Sequence, residues 1–114
     1  MSTLSQKSCV PCRGGVPPLT PEQRAPLAAE IPAWRVIEGH LIERVFRFED
    51  FRSALNFVNK IGDLSDLQGH HPELQLSWGK VIVQVWTHKI GGLTERDFVL
   101  AAKIDDIDRG PLAH

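Results

Sequence analysis

The 114-residue chain has almost no charge imbalance, with 13 Lys and Arg against 14 Asp and Glu. That balance, and the lack of a Lys/Arg cluster, removes the electrostatic footprint expected of a nucleic-acid binder. No apolar run approaches membrane-spanning length, so no membrane partner is expected. The first residues carry no secretory hydrophobic region, which makes a cytoplasmic location the expectation. Internal repeats are missing. Cysteine is scarce, and the two present, Cys9 and Cys12, do not make a disulfide framework. Cys9-Val10-Pro11-Cys12 has the spacing of a redox pair or of half a zinc site. It lies in a Gly/Pro-rich stretch, however, and not at the start of a helix after a strand. Free thiols are the expected state.

The length allows one compact domain with one core. Residues 1–19, rich in Ser, Gly and Pro, read as an extended or mobile arm. Residues 20–108 read as the folded domain and 109–114 as a short tail. Thr20-Pro21-Glu22-Gln23 has the form of a capped helix start, and Pro32 limits that helix to a short one. Trp34 to Ile37 and Leu41 to Phe48 read as strands about a tight turn at Glu38-Gly39-His40. Ile42, Phe46 and Phe48 share one face, and Arg44 interrupts it.

From Asp50 the period becomes helical, with Phe51, Leu55, Val58 and Ile61, supplemented by Ala54, and the helix runs towards Gly69. Leu74 to Trp78 and Lys80 to His88 form a second strand pair, in which Val81, Val83 and Val85 alternate with Ile82, Gln84 and Trp86. A last helix starts at Thr94 and runs to about Ile107. The expected fold is α+β: a four-stranded antiparallel sheet with three helices on one face, in the order α-β-β-α-β-β-α. The other sheet face must meet solvent or a second subunit.

Three histidines stand out: His70 and His71, adjacent and followed by Pro72, and His88. Imidazole both gives and takes protons near neutrality, so histidines converging with a carboxylate point to proton transfer or to a metal site. A His-Glu-x-x-His pattern is absent, and adjacent histidines seldom both reach one ion. Asp66 lies four residues before His70, within reach of it if the helix persists. Asp97 fits the capping-box spacing from Thr94, a structural role compatible with facing a ligand. Trp78 fits either hairpin packing or the wall of a pocket for a flat ligand.

Asp66-x-x-x-His70-His71-Pro72, five residues, Trp78, nine residues, His88, eight residues, Asp97 resembles the signature of pterin-4a-carbinolamine dehydratases. The stretch Thr87 to Phe98 is similar to the bacterial form in particular. The resemblance covers roughly Thr20 to Ile107 and leaves out the arm with Cys9 and Cys12. It implies the α+β fold above, a homodimer or homotetramer, and no metal or bound cofactor. It also implies dehydration of 4a-hydroxytetrahydropterin to quinonoid dihydropterin, in the recycling of tetrahydropterin.

On that resemblance His70 and His88 are the acid and base, in either assignment. His71 contacts the departing hydroxyl or positions the pterin, and Asp97 orients or charge-stabilises His88. Asp66, Pro72 and Trp78 support the site or bind substrate. Asp66 stands where the family more often has glutamate, and Leu74 where some relatives have tryptophan. A contrasting reading is a non-catalytic scaffold of the same fold, of the transcriptional-coactivator or assembly-factor type. Another is pterin processing in a different pathway, such as molybdenum-cofactor metabolism.

Overall fold

The computed structural model describes residues 4–7 and 17–109. Cys9 and Cys12 lie outside them. Helix α1 (Pro21–Ala29) starts where the capping signal places it. The Thr20 side chain accepts from the Gln23 N–H at 3.2 Å, and Gln23 Oε1 accepts from the Thr20 N–H at 2.9 Å. Strands β1 (Arg35–Ile37) and β2 (Leu41–Arg47) follow, then α2 (Phe51–Gln68), β3 (Glu73–Ser77), β4 (Lys80–Val85) and α3 (Glu95–Asp105). The sheet is antiparallel throughout, in the order β1-β2-β4-β3. Three helices and four strands in the sequence α-β-β-α-β-β-α match the expected architecture.

Register sorts the side chains into two faces. Ile42 lies opposite Val85, Arg44 opposite Val83 and Phe46 opposite Val81. These apolar partners are buried beneath the helices. The α2 face that meets them differs from the expected stripe. Ala54, Phe57, Ile61 and Ser65 are buried, whereas Phe51 is exposed. Phe57 is the centre, its ring centroid 4.7 Å from that of Phe46 and 5.2 Å from that of Phe48. Full burial of such a ring contributes about 1.5–3 kcal/mol.

Arg44 breaks the apolar alternation because it has partners on that face. It pairs with Asp105 at 2.6 Å, and its guanidinium lies 4.3 Å above the Phe46 ring. Trp34, buried as expected, donates its indole N–H to the same Asp105 oxygen at 2.9 Å. Burial pushes the Asp105 carboxyl above the usual aspartate range, and the bonds from Trp34 and Arg44 oppose that shift.

Of the arm expected over residues 1–19, the structure describes 4–7 and 17–19, and each of these two pieces touches the body. Leu4, in a short 3-10 turn (Leu4–Gln6) against α3, is fully buried. The Leu19 N–H donates to the Leu93 carbonyl at 2.8 Å. A Cβ at Gly92 would stand 3.0 Å from Pro18 Cβ, so glycine is what lets the two segments approach.

Asp50 caps α2 by accepting the Ser53 N–H at 2.8 Å. That backbone bond, followed by one from the Ser53 hydroxyl, holds the carboxyl below the ordinary aspartate range. A group whose pKa is depressed by folding stabilises the fold above its unfolded pKa and loses that contribution as pH falls through the folded value. Asp50→Ala is therefore expected to lower the melting temperature at neutral pH, with the gap from the parent closing in acid. Thermal melts followed by circular dichroism across that range read the effect. A gap equally wide at both ends would remove the carboxylate from the explanation.

Candidate functional site

The site forms where the end of α2, the loop after β4 and the start of α3 meet. Gly69 terminates α2 in the left-handed conformation, with φ of 64°. Its N–H and that of His70 both donate to the Ser65 carbonyl. The chain therefore leaves the helical path one residue before His70, and Pro72 biases His71 towards extended backbone. Arg96, in the first turn of α3, donates to the Gly69 carbonyl at 2.9 Å and so ties the two helix ends together.

His70 turns inward and is 7 % exposed. Its Nε2 lies 2.5 Å from Oδ1 of Asp97, which is fully buried. The second carboxylate oxygen of Asp97 accepts the Thr94 N–H at 2.8 Å and the Thr87 hydroxyl at 2.9 Å. The capping role and the histidine contact thus belong to opposite oxygens of one side chain. A neutral His70 that donates through Nε2 presents Nδ1 as an acceptor, and a protonated His70 carries its charge against Asp97. The carboxylate serves either state.

Two expected pairings are exchanged. Asp66 meets His71, at 2.9 Å, and not His70, because Gly69 ends the helix before the i, i+4 relation can hold. Asp97 meets His70 and not His88. His88 itself lies beyond the strand, since β4 stops at Val85 and Thr87 forms an isolated bridge to Gly92. Its ring stacks on Trp86 with centroids 4.3 Å apart and planes inclined by 21°, and its Nε2 is 3.7 Å from Glu73 Oε1. Trp86 also meets His40, with centroids 5.6 Å apart.

His70, His71 and His88 line one cavity of about 430 Å³, together with Gly69, Trp86, Thr87, Lys89 and Arg96. The volume is in the range of small-molecule sites. Trp78 is not part of it. It sits at the β3–β4 turn and is 73 % exposed. Pro72 is half-buried and does not line the cavity. Sequence reasoning did not assign Trp86, Arg96 or Glu73 to the site. The alternation that puts Trp86 two residues before His88 was the available signal for the first of them. Among the described residues, no three His, Cys, Asp or Glu side chains are grouped so as to hold a metal ion. Nor is any described helix long and apolar enough to cross a membrane.

Fold and site together define an α+β protein with several imidazoles around one small-molecule cavity. The chain belongs to the pterin 4 alpha carbinolamine dehydratase family, whose model matches residues 17–107. A protein of Rubrobacter xylanophilus, provisionally named pterin-4-alpha-carbinolamine dehydratase, is 53% identical over 105 residues, 92% of this chain and 98% of that one. A protein of the same provisional name from Methylococcus capsulatus is 44% identical over 106 residues, 92% of this chain and 93% of the other. A crystal structure of a transcriptional coactivator/pterin dehydratase from Brucella melitensis superposes with a TM-score of 0.72 at 29% identity, covering 77% of this chain and 95% of that one.

Proposed function

We propose that this chain dehydrates 4a-hydroxytetrahydropterin to quinonoid dihydropterin by acid/base catalysis from His70 and His88. The observation that carries the reading is the buried Asp97–His70 pair opening onto the same cavity as His71 and His88. In the reaction the C4a–oxygen bond breaks with its electron pair leaving on oxygen. An imidazolium protonates that oxygen, and water departs. The adjacent ring nitrogen gives its proton to a neutral imidazole, and its electrons form the new double bond to C4a. One imidazole of each state is sufficient, and the net change is loss of water. His71, steadied by Asp66, holds the hydroxyl or the pterin. Trp86 supplies a flat apolar surface beside His88 on which a bicyclic ring can lie.

The test is stopped-flow absorbance on freshly generated 4a-hydroxytetrahydropterin, with and without protein. Faster appearance of quinonoid dihydropterin is the expected result. No acceleration by folded protein would defeat the reading. It would favour the scaffold alternative, to which the coactivator name of the Brucella relative and the uncovered sheet face around Val45 both lend weight. We place the protein in the cytoplasm as a homodimer or homotetramer, a state that light scattering on the eluting protein measures directly.

A further inference from the structure

We propose that Leu4 is a positioning residue: seated against α3, it fixes the first turn of that helix and, through it, the Asp97–His70 pair and the loop that carries His88. The family model begins at residue 17, so Leu4 lies outside the matched part of the chain. The expected effect on rate rests on the dehydratase reading; the expected effect on the Asp97–His70 contact does not.

Helix α3 needs cover on every side. All residues from Asp97 to Ala102 are buried, and at 3.6 residues per turn that run points in every direction around the axis. Strand β4, α2 and α1 each meet part of the helix surface. The 3-10 turn of Leu4–Gln6 meets another part, and the Leu4 side chain is fully buried there. The Lys7 N–H donates to the Leu4 carbonyl at 3.0 Å and closes the turn. Lys7 Nζ also stands 3.8 Å from Glu95 Oε2, but both side chains are half exposed, and such a pair contributes little. The apolar contact of Leu4 is the anchor.

The backbone from Gly92 to Asp97 links the two proton-transfer histidines. At its start, the Gly92 carbonyl accepts the Thr87 N–H at 2.9 Å and closes the loop of His88. At its end, Asp97 meets His70, and Arg96 reaches the Gly69 carbonyl. The N-terminal residues hold this stretch from outside. Pro18 lies against Gly92, the Leu19 N–H donates to the Leu93 carbonyl, and the turn of Leu4 packs on the helix that follows. None of these residues lines the cavity, so they act on the imidazoles only through α3 and the loop before it. A displacement of about 1 Å passed on in this way can cost up to about 10²-fold in rate.

The test uses the full chain with Leu4→Ala and, as the conservative control, Leu4→Met, which keeps an apolar side chain of similar volume. Leu4→Val, a smaller truncation, keeps the test open should the alanine variant not fold. Both readouts are taken at a temperature where circular dichroism shows the variant folded. The first is proton NMR of the free protein, which follows exchange with water of the ring proton that His70 shares with Asp97. The truncations are expected to speed that exchange by about tenfold or more, and Leu4→Met to hold it near the parent rate. The second is stopped-flow dehydration, in which kcat is expected to fall about tenfold with KM within about twofold, and Leu4→Met to restore kcat. A residue that only adds stability would lower the melting temperature and leave both readouts at the parent level in folded variants, and that result overturns the inference. Absence of turnover by the parent removes the dehydratase reading, and the ring-proton exchange then decides the positioning role by itself.

Discussion

His88→Ala is expected to lower kcat for carbinolamine dehydration by roughly two to four orders of magnitude, the usual worth of a positioned acid or base. The fold should survive the change. The His88 side chain is more than half exposed, and its neighbours are an indole face and an exposed carboxylate. Removing it orphans no buried polar group, so its stability cost is that of an ordinary surface substitution. Stopped-flow traces of product formation give the rate, and circular dichroism gives the melting temperature. Unchanged turnover in a well-folded His88→Ala protein would take His88 out of the proton chemistry. His70 is the less informative first target, because its loss also strips a contact from a carboxylate that has no exposure to water.

Asp97 shows the second large effect, and here two substitutions separate two roles. Asp97→Ala removes the buried contact to His70, the buried acceptor for the Thr87 hydroxyl and the partly buried one for the Thr94 N–H. Breaking such a network costs on the order of 3 kcal/mol or more. In a domain of this size that corresponds to a fall in melting temperature of more than about 10 °C. Asp97→Asn keeps the shape and one acceptor oxygen. If that oxygen serves Thr87 and Thr94, the amide nitrogen must donate to His70 Nε2, which forces the ring proton onto Nδ1. The reversed tautomer is expected to depress the rate much as alanine does, while most of the stability returns. Full activity in the asparagine variant would reduce Asp97 to a helix cap.

Local signals in the chain identified most of the architecture. The Thr20 and Asp50 caps, the Val81-Val83-Val85 alternation and the Gly-Gly break before α3 are each written within a few consecutive residues, and each element occurs where its signal lies. What was harder to read involved distance or a change of path. Asp97 and His70 are 27 residues apart, and their contact depends on how the start of α3 docks against the end of α2. The Asp66–His70 expectation assumed an unbroken helix, and the left-handed Gly69 diverts the chain just before the histidine. The buried face of α2 is centred on Phe57 because the Phe46 and Phe48 rings lie beneath it, a fact of sheet packing and not of helical period alone. Leu4 joins the core from a segment whose composition suggested no attachment.

The three tryptophans occupy three unlike environments, which makes the protein its own set of optical reporters. Trp34 is enclosed in the core with its N–H bonded to Asp105, Trp78 stands in solvent at the far turn, and Trp86 lies against an imidazole of the candidate site. An imidazole stacked on an indole quenches its emission, and the quenching deepens when the imidazole is protonated. Single-tryptophan versions would therefore separate three signals that ordinary fluorescence merges: unfolding from Trp34, a solvent reference from Trp78, and from Trp86 the protonation of His88 or the arrival of a flat ligand.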